Sequence, residues 1–489
     1  MSKDPLVYDV WRHIATYLTP SELRRAISTN HALHDIAMDT IYGEVRWTRL
    51  DYDMVKSLKS LQNPRIAKRV HRLDVRLWFL KFQFDESLQR HFERLPKLKL
   101  QNLSDGQENS TQVHERLADL KRGGIDATIR VMESAMNNLQ ELYECSLDAR
   151  WLPSEALPLM HAVYRTFSQN QLRKLELRCQ DIEELGNPAT MCHLINLREL
   201  SLEIVGPPKH SPSEQAQMIQ MAEFMSKLDL CSFSLSTSPH SDYSAFFAAL
   251  GRFPHLRKLV LRVDLSEESL SDPYPLLCFL HRVSPQLESF QFQPRFSDRN
   301  YVSLFASLIQ APYILSDLQT LTISNVLDFD LVLSLLRRNK ETIVDVTLAD
   351  SLDLQQLQEI VFTLAHNGKG TLKTLYIEIQ VLSPAVFDLL SRRLPNLRDL
   401  QVVYNAIGGS YLDDDEREVH PPIEDATVIE IFNIGEPGSP PRYRHWALQK
   451  LSVWMTQVHE GLSEEEEGIM FSVAHASPRI TTIRGETVR

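Results

Sequence analysis

Large apolar residues recur along most of this chain in one arrangement, Leu-x-x-Leu-x-Leu, whose last three positions alternate apolar, variable, apolar. Leu172, Leu175 and Leu177 form one copy; others begin at Leu197, Leu256, Leu318, Leu372, Leu397 and Leu448, with looser copies at Leu230, Leu287 and Ile343. From Leu172 to Leu397 successive copies start 25 to 33 residues apart, which is the length of one supersecondary unit. Alternation with period two predicts a short strand with one buried face. Between copies the apolar spacing turns helical. Ser211-Pro212-Ser213-Glu214 opens a helix through Met218, Met221 and Phe224, Ser383-Pro384 opens another through Val386, Leu389 and Leu390, and Ser463 with Glu466 has the same capping spacing. A strand this short cannot bury its own side chains, so the units must stack to make a core.

The predicted fold class is α/β: a solenoid of short parallel strands alternating with helices over residues 125–489, preceded by a small three-helix module in residues 1–47. Apolar residues make up 43% of the 489 positions. That length would suggest several domains, but a one-dimensional stack lets most of it be one elongated body. Residues 48–124 hold a degenerate first repeat around Val70, Leu73 and Val75. Its polar stretch from Gln101 to Gly124, closing on Gly123-Gly124, is expected to be a mobile surface loop with one helical turn near Leu117. Between Leu397 and Leu448 the interval lengthens to 51 residues. This insertion, at about 405–446, carries Gly408-Gly409, an acidic run at 413–416 and a strand-like piece at 428–431. Insertions in repeat arrays lie on one face and often serve recognition.

If the leucines point inward, their neighbours line a concave sheet face. Candidate binding residues on it are Arg178, Glu203, Arg262, Gln293, Tyr376, Glu378, Gln401 and Trp454. Across all copies this outward column holds five basic residues (Lys174, Arg178, Lys258, Arg262, Lys450) and six acidic ones (Glu176, Glu199, Glu203, Asp345, Glu378, Asp399). A surface that tracks phosphates needs clustered cations, so this mixture, with a net charge of -12, speaks against nucleic acid. A polar face with Tyr376 and Trp454 suits a protein partner, aromatic residues being frequent interface anchors. Trp454 has a second reading, packing under the insertion.

The five cysteines are odd in number and widely spaced, which reads as reduced thiols in an intracellular protein, cytoplasmic or nuclear. No leader-like apolar run follows Met1, and no stretch is long enough to span a membrane. The common nucleotide-binding, metalloprotease and nucleophile-elbow motifs do not occur, and the seventeen histidines show no repeated ligand spacing. No catalytic residue, metal site or cofactor is expected.

The module ahead of the repeats has a more specific signature. Leu6, Asp9, Val10, Ile14, Tyr17 and Leu18, followed by Glu22-Leu23, resemble the opening motif of the F-box family, with Val7 where that family usually has proline. Leu33-His34-Asp35-Ile36-Ala37 is similar to a later F-box segment, although Thr29-Asn30-His31 replaces its Val-Cys-Arg. Residues 41–47 resemble the lead-in to the first strand of fungal F-box proteins. The rest of the chain resembles the leucine-rich repeats, departing from them in that the asparagine or cysteine after the strand survives only as Asn405. A side-chain ladder along the turns is therefore not expected.

The resemblance implies a substrate-recognition subunit of a cullin-RING ubiquitin ligase of the SCF type. Leu6, Val7, Val10, Ile14, Leu18 and Leu23 would dock on the Skp-type adaptor that joins the cullin scaffold, and the concave face would hold a protein substrate. Two alternatives stand beside it. One is a repeat scaffold or regulator in which residues 4–47 only cap the stack, discriminated by whether Leu6, Val10, Ile14 and Leu18 are all buried. The other is an enzyme with its site in the insertion.

Overall fold

The computed structural model describes residues 5–84 (without 29), 107–150, 152, 157–180 (without 170), 194–206, 212–237, 241–294, 298, 314–325, 328–365, 371–408 and 442–456, with short pieces within 411–419 and 469–487. The chain divides into two compact units: residues 1–238 with 249–253, and residues 239–248 with 254–489.

The first unit begins with α1 (Pro5–Ala15), α2 (Pro20–Ala26) and α3 (His31–Tyr42). The start of α2 is set by a reciprocal cap. The Thr19 hydroxyl accepts from the Glu22 amide, and the Glu22 carboxylate accepts from the Thr19 amide at 2.8 Å. Hydrogen bonds donated to it by the Thr19 amide and the Thr19 hydroxyl hold the Glu22 carboxyl below its ordinary value. Leu23, Leu33 and Ala37 form the small core, with Trp11, Ala15, Leu18, Ala26 and Ile27 packed against it. Arg69 ties α3 to the repeats, donating to Asp35 at 3.0 Å and also to Asp39.

Six parallel strands follow in sequence order: β1 (Glu44–Trp47), β2 (Arg72–Arg76), β3 (Glu144–Asp148), β4 (Lys174–Cys179), β5 (Glu199–Ile204) and β6 (Ser232–Ser236). Behind them lie α4 (Tyr52–Ser60), α5 (Pro64–Ala67), α6 (Trp78–Phe84), α7 (Gln107–Met136), α8 (Leu157–Gln169) and α9 (Pro212–Met225). The register aligns the repeat residues in rows. Val45, Leu73, Cys145, Leu175, Leu200 and Phe233 make one row, Trp47, Val75, Leu147, Leu177, Leu202 and Leu235 the next, and all are buried. Each such side chain contributes roughly 2 kcal/mol by leaving water, so the rows, more than any single strand, hold the stack together.

Two expectations are corrected in this unit. Glu44–Trp47, grouped with the helical module on sequence, is the first strand of the sheet. Residues 107–124, expected to be a loop, belong to α7; of the loop, 101–106 lie outside the described residues. Val113 and Leu120 are buried at helical spacing, and the helix is broken only at Gly124, whose φ of 71° is available to glycine at little cost.

The second unit has eight parallel strands: β7 (Lys258–Arg262), β8 (Ser289–Phe292), β9 (Thr320–Ile323), β10 (Asp345–Leu352), β11 (Thr374–Leu382), β12 (Asp399–Ile407) and, after the antiparallel hairpin β13 (Tyr411–Leu412) and β14 (Glu418–Val419), β15 (Lys450–Met455) and β16 (Thr482–Ile483). The short β17 (Glu486–Thr487) turns back antiparallel on β16. Its longer described helices are α10 (Tyr274–Val283), α11 (Phe329–Asn339), α12 (Leu354–Leu364) and α13 (Pro384–Arg393), and a short helix spans Ser244–Ala249 where the chain passes between the units. Pro384 starts α13 as expected, but Ser383 makes no side-chain capping bond. Strand, turn and helix repeating in parallel is the leucine-rich-repeat architecture that the spacing predicted. No helix among the described residues is long and apolar enough to cross a membrane.

A partial ladder along the turns does exist. Asn325, in the left-handed region at φ 58°, donates from its side chain to Pro294 O at 3.1 Å and from its amide to Asp350 at 2.6 Å. Asn405 donates to Ser351 at 3.0 Å and accepts from Thr456 at 2.7 Å. Asn325 does this one residue earlier than the repeat pattern places its asparagine, which is why spacing alone missed it.

The C-terminal end of the insertion is fixed to α13. Asp388 is buried and takes a hydrogen bond from Tyr443 at 3.1 Å and an ion pair from Arg442, while the Trp446 indole donates to Leu394 O at 3.1 Å. Burial pushes the Asp388 carboxyl above its ordinary value against the pull of Arg442. The 413–416, 428–431 and 464–467 stretches, the Ser463 start and the Ser211 cap lie outside the described residues.

Candidate interaction surfaces

In α1, Val10 and Ile14 are one turn apart and, with Tyr17 just beyond the helix, leave an apolar stripe in solvent at 53%, 41% and 76% exposure. Trp11, Ala15 and Leu18 occupy the opposite face and pack on the module's core. Of the six residues assigned to adaptor docking, Val10 and Ile14 are available. Leu18 is half-buried, and Leu23, at 5% exposure, is a core residue that positions the surface without forming it. Leu6 lies one turn before Val10 in the same helix, next to Val7; their side chains are outside the described residues. Tyr17, absent from the expected set, is the most exposed apolar side chain among the described residues of the module and follows Val10 by seven positions, a spacing readable in the sequence.

The sheet faces carry the second set. In the first unit the outward residues alternate in sign from strand to strand. One row reads Glu44, Arg72, Glu144, Lys174, Glu199, and the row four residues on reads Arg76, Asp148, Arg178, Glu203; between them Arg46, Asp74, Ser146, Glu176 and Ser201 mix charged and neutral groups. The charges pair with neighbours: Arg72 with Glu144 at 2.9 Å, Lys174 with Glu176 at 3.1 Å, and the predicted Arg178 with the predicted Glu203 at 3.1 Å. Arg72, Glu144, Lys174, Glu176 and Arg178 line a shallow depression of about 340 Å³.

The second unit is arranged differently. Its middle row, Val260, Gln291, Thr322, Thr347, Tyr376, Gln401 and Ser452, carries no charge. Val260, placed in the outward column on sequence, is itself buried. Arg262 donates to Gln293 at 3.1 Å, so these two expected residues meet. Tyr376 lies beside Gln401, and Glu378 is aligned through Val403 with Trp454, which is partly exposed. Burial raises the Tyr376 hydroxyl above its ordinary value, and burial together with the charge of Asp350 raises the Glu378 carboxyl. Asp350 sits in a bulge of β10 between Leu348 and Ser351 that no sequence period signals. Of the eight expected binding residues, Arg178 and Glu203 lie in the first unit and the other six in the second. Among the described residues, no three His, Cys, Asp or Glu side chains gather as metal ligands would.

No protein-family model matches the chain, and no curated protein matches it. Among solved structures it is similar to the yeast Rad7–Elc1 complex, at 15% identity over 79% of this chain and 89% of that one, with a TM-score of 0.35. It is also similar to the leucine-rich repeat-containing protein LegL7 of Legionella pneumophila, at 12% identity over 60% of this chain and 90% of that one, with a TM-score of 0.36.

Proposed function

We propose that the protein is a substrate-recognition subunit of an SCF-type ubiquitin ligase, docking its N-terminal helical module on a Skp-type adaptor and holding a protein substrate on a sheet face. The observation that carries this reading is the apolar stripe of Val10, Ile14 and Tyr17, left in water by a module whose own core is already filled by Leu23, Leu33 and Ala37. An apolar stripe on a short helix module is the kind of surface a partner covers. Such a subunit is not itself catalytic; it works by proximity, and the covalent steps occur on partner subunits in the cytoplasm or nucleus.

The test is co-purification with a Skp-type adaptor. The wild-type chain retains the adaptor, whereas Val10→Asp and Ile14→Asp each weaken retention at least tenfold without changing the melting temperature, since both side chains are exposed. An adaptor that fails to co-purify with the wild-type chain sinks the reading.

A repeat scaffold with no ligase attached is the second reading, and the Arg69 tie to Asp35 and Asp39 favours it, because that contact is what a terminal cap would need. Under it Arg69→Ala destabilises the first repeats while adaptor retention is absent throughout.

A further inference from the structure

Most charged side chains on the sheet of the first unit already have a partner within the chain. The four central strands of the second unit break that rule. Outward positions of β9, β10, β11 and β12 include Asp345, Glu378 and Asp399, joined by Asp350 at the bulge, and no lysine or arginine. Asp345 and Glu378 have no ion-pair partner among the described residues; Asp399 has Lys450 of β15 at 3.8 Å. Between the carboxylate rows runs an uncharged hydrogen-bonding row that includes Tyr376, half-buried with its ring on the open face.

We infer that the sheet face of β9–β12 docks a basic, extended segment of the protein this chain recruits, with lysine or arginine side chains meeting Asp345, Glu378 and Asp399 and the main chain crossing Thr347, Tyr376 and Gln401. Charge complementarity selects this occupant. An acidic or neutral segment would leave Asp345 and Glu378 desolvated and unpaired, which costs more than a bond to the threonines returns, whereas a cation supplies the counter-charge that these two carboxylates lack. Tyr376 adds a ring over which a guanidinium can lie. The net charge of -12 steers a basic partner toward the chain, and the local lack of cations selects where it settles. The middle row offers hydroxyl and amide groups to the peptide bonds of the segment, a contact that does not depend on its sequence.

The inference deepens the receptor reading by naming the chemistry of what is held, and rests on it only in calling that segment a substrate. Its test uses the full-length chain and a fluorescein-labelled peptide of roughly eight residues, alternating arginine with serine, long enough at about 3.3 Å per residue to cross the four strands. Matched peptides carry glutamine or glutamate in place of arginine. At about 0.15 M salt the arginine peptide binds at least tenfold more tightly than the glutamine peptide, and the glutamate peptide does not bind. Asp345→Asn with Glu378→Gln weakens the arginine peptide at least tenfold. The same loss of charge in the first unit, Glu176→Gln with Glu199→Gln, changes it less than twofold. Equal weakening by the two double variants would show attraction by net charge alone and overturns the inference, as does failure of the arginine peptide to bind. Adaptor co-purification by the Asp345→Asn, Glu378→Gln chain is unchanged, so a failure here is separate from a failure of the receptor reading.

Discussion

The two sheet faces are laid over the same kind of core but treat charge in opposite ways. In the first unit each carboxylate of the row Glu44, Arg72, Glu144, Lys174, Glu199 has cations on the adjoining strands. Alternating signs a strand apart, about 4.8 Å, cancel one another's field well within the screening length of about 8 Å, so a passing partner meets a nearly neutral wall. In the second unit the strands β10 to β12 lengthen to 8 or 9 residues, against 4 to 6 in the first, and their carboxylates stand among threonine, tyrosine and glutamine. The same repeat thus gives one face whose side chains are committed to each other and one whose side chains are open to something else. Cross-strand pairing on the face makes the difference; the leucines beneath do not.

The largest expected effects check that last statement. Leu177 of β4 and Ile377 of β11 are matched core positions, both nearly without exposure. Leu177→Ala and Ile377→Ala should each cost about 3 kcal/mol, the usual loss for a buried aliphatic side chain that leaves a cavity. Denaturant unfolding of the two variants measures this. Costs differing by more than a factor of two would mean that the cores differ as well as the faces.

Charge reversal comes next in size. Glu144→Lys sets a cation between Arg72 and Lys174 and removes the partner Arg72 holds at 2.9 Å, so stability should fall by about 1–2 kcal/mol at low salt. Thr374→Lys places the same charge between Asp345 and Asp399 and should cost less than about 0.5 kcal/mol or stabilise slightly. Raising salt to roughly 0.5 M should shrink the gap between the two, because both effects are screened.

Much of this was legible in the chain. Strand positions followed from the Leu-x-x-Leu-x-Leu copies because a buried row tolerates only apolar residues, and even the loose Ile343, Val346, Leu348 copy is a buried strand. What escaped was set by contacts between distant residues. Helix α7 was hidden by its polar surface and by Gly123-Gly124, although Val113 and Leu120 bury a face of it. Leu23 fits the docking motif by residue type, yet three-dimensional packing turns it inward. The alternation of charge needed the register: Arg72 and Glu144 are 72 positions apart in sequence and become neighbours only once β2 pairs with β3. The sparing use of asparagine on the turns likewise concealed that Asn325 works one residue early.

The smallest predicted effect has opposite signs on the two faces, which makes it the most discriminating. Glu176→Gln gives up an ion pair with Lys174 at 3.1 Å on a solvated surface and should lower stability by no more than about 0.5 kcal/mol. Glu378 has no such partner, and burial together with Asp350 holds its carboxyl above the ordinary glutamate value. A carboxyl with a raised folded-state value binds its proton more tightly in the native state than in the unfolded chain. The stability it contributes is therefore fully present below the unfolded value near about 4.3 and is lost as pH rises through the folded value. Glu378→Gln keeps the shape of the side chain and removes that loss, so the variant should match the wild-type chain near pH 4 and unfold at a higher midpoint near pH 7. A lower midpoint at pH 7 would mean that the native fold already supplies Glu378 with a cation, and the contrast between the committed and the open face would fail at the residue on which it most depends.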